Sequence, residues 1–483
     1  MMNHIIFKFF FILFCVSCKS AARVVEPVGG YIISNVSVVD AVHPVRGPVD
    51  VYILNDIIIT IAEEIDNGAQ RIDATGQYLI PGLWDFHVHL TFERDLEDRI
   101  FDLFLINGIT SVRDTGGKMH LVQSMKELAA SDPDRYPRVK IAGPLLDGLP
   151  RVYDGSSPGR PDISEGLESV AAIHQKVDEL AGQGVDLLKA YEMLSPKQYY
   201  ALLARAKMHG LKVTGHIPLS MTVDQAAEAG LASIEHMRNL EMSMSIHKDM
   251  YLAERQRLLK SKKDTSGYAL RSYLHRTYRV PSVKSISEDN RQAVLTSLSE
   301  NNTWQVPTLA LVLSGRLKVF QDLEWRKTFD YLPAKMEAAW IEYAEQLAAT
   351  NSGSPDPAYM DWAADMIRDF QDHNIGIVAG TDCPIFFLTP GFSLHRELET
   401  LVDHGNLTNR EALYAATVRP AAYFDLQDKI GTVEEGKIAD LILLREDPLQ
   451  DISHTRSINA VIKNGVMYDQ QKLAKMKAEL KAN

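Results

Sequence analysis

The sequence predicts a (β/α)8 barrel, an α/β fold, joined to a small β-sandwich domain built from both chain ends. Between residues 79 and 382, eight short apolar segments alternate with amphipathic ones, the order typical of a closed parallel barrel. Residues 30–80 and the C-terminal stretch alternate apolar and polar positions between turn residues, which indicates short strands. Because chain ends often lie close together, these two β-rich pieces are expected to pair.

The eight barrel strands are expected at residues 79–90, 108–116, 138–146, 185–191, 212–218, 232–237, 304–311 and 376–382. Helical patterns such as SVAAIHQKVDELAGQG lie between most of them and end at glycine, as helices often do. An open doubly wound sheet is the alternative, but no glycine-rich phosphate loop follows an early strand. Two long charged segments, 241–302 and 315–373, are helical in pattern and either cover the active-site mouth or enlarge the outer helical layer.

The domain boundaries follow from these patterns. We expect the barrel at 80–427, the sandwich at 19–79 and 428–475, and a tail at 476–483. Residues 1–18 have a short apolar stretch before Ser17-Cys18 and look like a lipoprotein signal peptide, with a plain secretory signal or an uncleaved anchor as alternatives. This predicts a periplasmic or outer-membrane lipoprotein of a Gram-negative bacterium, attached to the membrane only through a lipid on Cys18.

The length, net charge and cysteine content of the chain limit the kinds of binding partner that are expected. The 483 residues are ample for two domains, and the net charge of −12 argues against a nucleic-acid binder. Besides Cys18, the mature chain would carry only Cys383, so no internal disulfide is expected. A small-molecule or dipeptide substrate is the expected partner, and homo-oligomerisation is left open.

Six polar residues at or near predicted strand ends indicate one metal site: His87, His89, Lys189, His216, His236 and Asp382. A spacing of two puts His87 and His89 on the same face of a strand. Two imidazole pairs, a carboxylate and a modifiable lysine predict two divalent cations with a hydroxide between them, zinc being the default metal. Asp85 shares the parity of the histidines and is expected to orient a ligand, whereas Cys383 is expected to pack.

Several of these residues have two interpretations. Lys189 is either a snorkelling lysine or a desolvated amine that takes up carbon dioxide as a carbamate. Tyr191 either hydrogen-bonds the scissile carbonyl and its oxyanion or packs at the barrel mouth. Arg238 either binds a substrate carboxylate or faces solvent. Arg113 and Asp114 are expected to form an internal ion pair.

The motifs LIPGLWDFHVHL, TSVRDTGG, VDLLKAYE, TGH, SIEHM, AGTD and GTVEEGKIADLILLREDPLQDI resemble the amidohydrolase superfamily, closest to the subgroup of imidazolonepropionase-like proteins and metal-dependent Xaa-Pro dipeptidases. The resemblance extends over nearly all of residues 30–470. It implies a first metal on His87, His89, the Lys189 carbamate and Asp382, and a second on the carbamate, His216 and His236. Lys189 favours the binuclear dipeptidase branch, because imidazolonepropionase lacks this lysine.

The resemblance also implies the reaction. We expect metal-dependent hydrolysis of an amide bond, in Xaa-Pro dipeptides or N-acyl amino acids, by a bridging hydroxide. Asp382 and Tyr191 are the expected catalytic residues, with Asp382 passing a proton to the departing amine. The alternatives are a binuclear esterase, lactonase or phosphotriesterase-like hydrolase, and a non-catalytic lipoprotein that binds a metal or a peptide.

Overall fold

The structure is a computed structural model that describes residues 29–261, 265–350 and 356–482. The predicted signal peptide and Cys18 lie outside these residues. The strands of the described part are β1 (Tyr31–Val38), β2 (Arg46–Leu54), β3 (Ile57–Ala62), β4 (Gln70–Asp73), β5 (Tyr78–Pro81), β6 (Leu83–Val88), β7 (Ile109–Asp114), β8 (Arg138–Ile141), β9 (Leu145–Asp147), β10 (Ser164–Gly166), β11 (Leu187–Ala190), β12 (Lys212–Gly215), β13 (Ser233–Glu235), β14 (Trp304–Val306), β15 (Leu441–Leu444), β16 (Ile458–Lys463) and β17 (Val466–Tyr468).

The α-helices of the same part are α1 (Ile100–Ile106), α2 (Met119–Ser131), α3 (Val170–Gly182), α4 (Pro196–Met208), α5 (Val223–Glu228), α6 (Leu240–Met244), α7 (Lys248–Ser261), α8 (Gly267–Val283), α9 (Glu288–Glu300), α10 (Leu309–Val312), α11 (Ser314–Leu317), α12 (Leu323–Arg326), α13 (Ala334–Thr350), α14 (Pro357–Asp372), α15 (Phe392–Asp403), α16 (Asn409–Ala416), α17 (Val418–Tyr423) and α18 (Gln470–Ala482). Short 3-10 helices cover Arg94–Leu96, Lys327–Tyr331 and Ile452–Arg456. None of the helices within this described part is both long and apolar enough to cross a membrane.

Strands from both chain ends pair in one eight-stranded sheet, in the order β17-β16-β15-β5-β1-β2-β3 with β4 beside β1. The two ends meet where β15 runs antiparallel to β5, with Leu441 opposite Pro81. Alternate apolar side chains such as Ile33, Val51 and Leu443 form a buried cluster between strands from both ends. The expected pairing of the chain ends is therefore present, as one sheet, and the predicted sandwich is seen in part.

The central part of the chain forms two parallel sheets, β6-β7-β8 and β10-β9-β11-β12-β13-β14. Every residue of β6, β7 and β11 is buried, as is typical of parallel strands covered on both faces. The amide N–H of Asp186 donates to the carbonyl oxygen of Ile141 (2.9 Å), which links β8 to the start of β11. This mixed α/β fold with parallel sheets agrees with the predicted class.

The last predicted barrel strand, 376–382, forms no regular strand. It makes two isolated parallel bridges instead, between Gln305 and Ile377 and between Val88 and Cys383. The backbone leaves the extended region at Asp382, whose φ is 71°, so regular pairing stops there. The segment nevertheless lies between β14 and β6, which places Asp382 beside the histidines of β6.

Two other features differ from the expectation or extend it. The short parallel pair β9 and β10 was not expected. Helix α18 begins within the predicted sandwich range, at Gln470, continues through the predicted tail as far as Ala482, and buries Leu473 and Leu480. The described residues of the two long charged segments, 241–302 without 262–264 and 315–373 without 351–355, are largely helical, as their patterns indicate. Helix α8, from the first of them, carries Arg271 into the cavity described next.

Candidate metal centre and active site

The structure brings the six predicted ligands into one cavity of about 40 Å³ at the carboxyl ends of the parallel strands, lined by His87, His89, Lys189, His216, His236 and Asp382. All six residues are buried. They come from β6, β11, the residues that follow β12 and β13, and the segment after Ile377. Residues separated by nearly 300 positions in the chain therefore share one small enclosed space.

Two of the four imidazoles are held by buried carboxylates. His87 Nδ1 lies 2.5 Å from Glu235 Oε2, and His216 Nδ1 lies 2.5 Å from Glu192 Oε1. A carboxylate only accepts, so each imidazole donates its Nδ1–H and keeps a lone pair on Nε2. Hydrogen bonds of this kind fix the tautomer and the ring orientation of metal-binding histidines.

The other two imidazoles are held by neutral acceptors. His89 Nδ1 donates to the carbonyl oxygen of Gly116 (2.8 Å). His236 Nδ1 lies 2.7 Å from Thr308 Oγ1, and this hydroxyl donates its own proton to the carbonyl oxygen of Pro307. His236 is therefore also the donor at Nδ1. All four histidines keep Nε2 as the free lone-pair atom.

Asp382 lies where these lone pairs converge. Its Oδ1 is 3.1 Å from Nε2 of both His87 and His89, and its Oδ2 is 3.7 Å from Nε2 of His236. Oδ1 nevertheless has no hydrogen bond of good geometry. One ligand atom from each of His87, His89 and Asp382 lies within 4.8 Å of the others, so these three form a His-His-Asp group suited to a metal ion.

The charge state of the site favours metal binding. Burial raises the pKa of Asp382, but the neighbouring His236 and His87 outweigh it and hold this pKa well below the usual range. Burial lowers the pKa of His216 to about 3, and that of His236 falls well below its usual value for the same reason. Metal ligation requires an ionised carboxylate and neutral imidazoles, and these shifts favour those states for Asp382, His216 and His236. Burial lowers the pKa of His89 too, but its contact with Asp382 outweighs burial and raises that pKa.

Lys189 has an unusual environment for a lysine. Its Nζ is buried and has no hydrogen-bond partner among the described residues. Burial lowers the pKa of this amine to about 8, even though Glu235 and Asp382 act in the opposite direction. A buried, unpartnered ammonium is costly, so the position suits an amine that is neutral or modified.

The backbone around the site is strained. His236, Thr308 and Asp382 all have positive φ (57°, 46° and 71°), a region that residues other than glycine seldom adopt. Such conformations cost about 1–3 kcal/mol each and cluster at functional sites. Gly380 allows the close approach of its segment to β6, because a Cβ there would lie 2.8 Å from the backbone nitrogen of His87.

Asp85 holds the strained segment in place. Its carboxylate accepts hydrogen bonds from the backbone N–H and the hydroxyl of Thr381, and from the backbone N–H of His87. Burial raises the pKa of Asp85 to about 7. Asp85 therefore positions the backbone beside Asp382 rather than an imidazole ring. Cys383 is buried with Sγ 3.9 Å from Asp85, which is compatible with its expected packing role.

The expected ion pair between Arg113 and Asp114 is wrong. Arg113 Nη2 pairs with Glu235 Oε1 at 2.8 Å, and its Nε donates to the carbonyl oxygen of Phe86. Asp114 instead accepts from the backbone N–H of Leu90 (2.7 Å). Adjacent residues of a strand point to opposite faces, which is why these two neighbours do not meet.

Sequence reasoning missed two residues at the centre, Glu192 and Glu235. Both are fully buried, and burial raises their pKa, but the cations and imidazoles around them hold it well below the usual range. A signal was available, since each glutamate directly follows or precedes a predicted site residue in KAYE and SIEH. Buried carboxylates require partners, and the predicted histidines supply them.

Tyr191 lines the same cavity. Its ring lies over that of His216, with centroids 4.5 Å apart, and also packs in an apolar cluster with Tyr153 and Leu145. Burial raises the pKa of its hydroxyl well above the usual value, so the hydroxyl stays protonated and can donate. Both interpretations of Tyr191 are compatible with this position.

A second, larger cavity of about 590 Å³ adjoins the first and shares His236, Arg238 and Arg271 with it. We call it the arginine chamber, after the four arginines in its wall: Arg238, Arg271, Arg276 and Arg279. Helix α8 also contacts the centre directly, because Arg271 Nε (3.0 Å) and His275 Nε2 (2.6 Å) both donate to Glu192. Glu192 therefore connects α8 to His216.

The chain is similar in sequence to known amidohydrolases. The amidohydrolase family model matches residues 363–467. The imidazolonepropionase of Thermoplasma volcanium is 21% identical over 432 residues, covering 88% of this chain and 92% of that protein. The predicted resemblance to the amidohydrolase superfamily is confirmed. The prediction of an enzyme, a hydrolase of carbon–nitrogen bonds, is confirmed with it.

Solved structures share the fold. A Xaa-Pro dipeptidase with bound methionine in its active site superposes with a TM-score of 0.62 at 19% identity, covering 91% of this chain and 100% of that one. A bottromycin amidohydrolase gives a TM-score of 0.65 at 20% identity, covering 95% of this chain and 92% of that one. At these identities the likeness concerns the fold and leaves the substrate of this chain open.

Proposed function

We propose that this chain hydrolyses the amide bond of a dipeptide or an N-acyl amino acid at a centre of two divalent cations. The observation that carries the proposal is the set of four imidazoles whose Nδ1 atoms are all engaged outward, which leaves their Nε2 lone pairs in one cavity with Asp382 and Lys189. Asp382 Oδ1 and Lys189 Nζ are buried without a hydrogen-bond partner, and metal ligation would use this carboxylate together with the imidazole lone pairs.

The fold proposed for this site is a (β/α)8 barrel, the architecture in which active sites lie at the carboxyl ends of the strands. Two links support closure of the parallel strands into a ring. Asp186 and Ile141 join β8 to β11, and the bridges of Ile377 and Cys383 place their segment between β14 and β6. With that segment, the eight strands of the barrel would be β6, β7, β8, β11, β12, β13, β14 and the segment itself, and β9 and β10 would be additional parallel strands beside β11.

The residues fit the proposed metals. His87, His89 and Asp382 would hold one ion, and His216 with His236 would hold the other. A carbamate on Lys189 would be shared by both, and zinc is the ion that this donor set favours. When bound, the two ions would lower the pKa of a water molecule towards neutrality and polarise the scissile carbonyl.

The chain's own side chains account for the remaining steps. Asp382 accepts the proton of the attacking water and delivers it to the departing nitrogen, because an amine leaves slowly without a proton. Its low pKa keeps it ionised at neutral pH. The protonated hydroxyl of Tyr191 donates to the carbonyl oxygen as negative charge develops there. The enclosed cavity limits the access of bulk water.

A library of dipeptides and N-acyl amino acids, with esters and lactones in parallel, tests the proposal on zinc-loaded protein. We expect amide hydrolysis and about two ions per chain by elemental analysis. Asp382→Asn should abolish turnover while the protein stays folded, and the control Asp425→Asn, at a side chain that is 84% exposed, should be fully active. Ester cleavage without amide cleavage would establish the alternative hydrolase, and a chain that binds no metal would contradict both.

A further inference from the structure

The arginine chamber is the part of the site that has room for a substrate. The central cavity of about 40 Å³ holds a few water molecules, at about 10–15 Å³ each. Pockets for small organic ligands measure about 300–1,000 Å³, and the chamber, at about 590 Å³, falls within this range. Most of a bound substrate must therefore lie in the chamber, with its scissile bond reaching the metal centre.

The chamber wall carries more cations than anions, with four arginines and one aspartate, Asp356. Three of its four arginines, Arg271, Arg276 and Arg279, come from α8. Arg271 is paired with Glu192 at 3.0 Å, and Arg279 lies 3.5 Å from a carboxylate oxygen of Glu241. Within the described part of the chain, Arg238 and Arg276 have no carboxylate partner.

The two arginines without a carboxylate partner lie at different depths. Arg238 lines both cavities, two residues after His236, and its Nε is buried without a hydrogen bond. Arg276 lines only the chamber and is exposed. One cation thus borders the metal centre and the other lies further out.

We infer that the chamber binds a leaving group with two carboxylates, so that the preferred substrates release glutamate or aspartate. The α-carboxylate of the leaving residue, close to the scissile bond, would contact Arg238, and the side-chain carboxylate would contact Arg276. Guanidinium groups are well suited to this because they bind carboxylates through two parallel hydrogen bonds.

This inference rests on the proposed function and is tested with matched substrates. N-acetyl-L-glutamate is compared with N-acetyl-L-glutamine, and the dipeptide Leu-Glu with Leu-Gln, on the zinc-loaded full chain. We expect kcat/KM to be about tenfold higher for the acidic member of each pair, as a charge-assisted hydrogen bond provides. Equal values for the two members would overturn the inference.

Three variants separate the two carboxylate contacts. Arg276→Gln should remove the preference for the acidic compounds, by lowering kcat/KM for the acidic member of each pair to about that of its glutamine counterpart. Arg238→Gln should slow both members of each pair, because the α-carboxylate is common to them. Arg257→Gln, at an exposed arginine of α7 that lines neither cavity, is the matched control and should change nothing. Identical behaviour of the Arg276 and Arg257 variants would contradict the assigned contact.

A binding measurement makes the test independent of turnover. Calorimetric titration of the same proteins with L-glutamate and L-glutamine should show tighter binding of glutamate, with the difference lost in Arg276→Gln. Glutamate binding without hydrolysis of any amide would uphold the chamber and refute the proposed function. Amide hydrolysis without any preference for the acidic compounds, in turnover or in binding, would uphold the proposed function and refute the role of the chamber.

Discussion

Replacing Glu192 with glutamine tests whether α8 and the metal centre depend on one buried carboxylate. Glu192 is fully buried and accepts hydrogen bonds from His216 Nδ1 (2.5 Å), His275 Nε2 (2.6 Å) and Arg271 Nε (3.0 Å). Glutamine offers a single acceptor oxygen and turns an amide N–H₂ towards one of these donors. At least one of the three contacts must therefore become a clash between donors.

The contacts of Glu192 give an expected loss of metal affinity and an expected loss of unfolding free energy. Loss of the group that orients a metal-binding histidine costs about 10–100-fold in metal affinity, or about 1.4–2.7 kcal/mol. The side chain of Arg271 is only 11% exposed, so without Glu192 its charge is buried and unpaired. Breaking a buried ion pair in this way costs about 3–5 kcal/mol of unfolding free energy.

Both effects are measurable on one preparation. Zinc affinity is determined by competition with a chromophoric chelator, and unfolding free energy by urea denaturation of the metal-free protein. The control is Glu254→Gln, at a glutamate that forms an exposed pair with Arg257 on α7 and should change neither quantity. If the Glu192 variant kept both the zinc affinity and the stability of the parent protein, the assigned role of this carboxylate would be refuted.

Four further outcomes follow from the same geometry. Lys189→Ala should remove turnover and reduce the bound ions below two per chain, because the shared ligand is lost; elemental analysis checks this, and full activity would exclude a bridging carbamate. Tyr191→Phe should lower kcat by about 10²–10³-fold if its hydroxyl stabilises the oxyanion, whereas a packing role predicts an unchanged kcat. Arg113→Met should lower the unfolding free energy by about 3–5 kcal/mol in urea denaturation, because Glu235 is left buried without its cation, and a near-neutral effect would show that this pair is dispensable. Adding zinc at 100 times its Kd to metal-free protein should stabilise the fold by about 2.7 kcal/mol per site, seen as a rise in Tm, and an unchanged Tm would contradict folded-state binding.

The sequence predicted those site residues whose place in the structure depends on their position along a single strand. His87 and His89 share a face because strand residues two apart point the same way, and His216 and His236 lie together because both directly follow parallel strands. Ile377–Asp382 was expected to be a strand and is not, yet Asp382 still reaches the centre. Its place depends on two bridges and the hydrogen bonds of Asp85 to Thr381, which have no local signature in the sequence.

The groups that support the histidines were not predictable to the same degree. Glu235 reaches His87 from a strand 148 positions later in the chain, and the acceptor for His236 is a threonine whose φ is positive. Such contacts depend on the tertiary arrangement of neighbouring elements rather than on a pattern within one element. The Arg113–Asp114 error has the same origin, since closeness in sequence was taken for closeness in space.

The contact between α8 and Glu192 gives the first long charged segment a role that its sequence pattern does not indicate. A helix that only enlarged the outer layer would meet the parallel sheets through apolar side chains, yet Arg271 and His275 both bind the carboxylate that orients His216. The same helix supplies three of the four arginines of the chamber. Displacement of α8 would therefore remove charge from the substrate chamber and loosen a metal-binding histidine at once. If the proposed function holds, substrate selection and metal binding would be coupled through this one buried glutamate, and a change at either end of the contact should be measurable at the other.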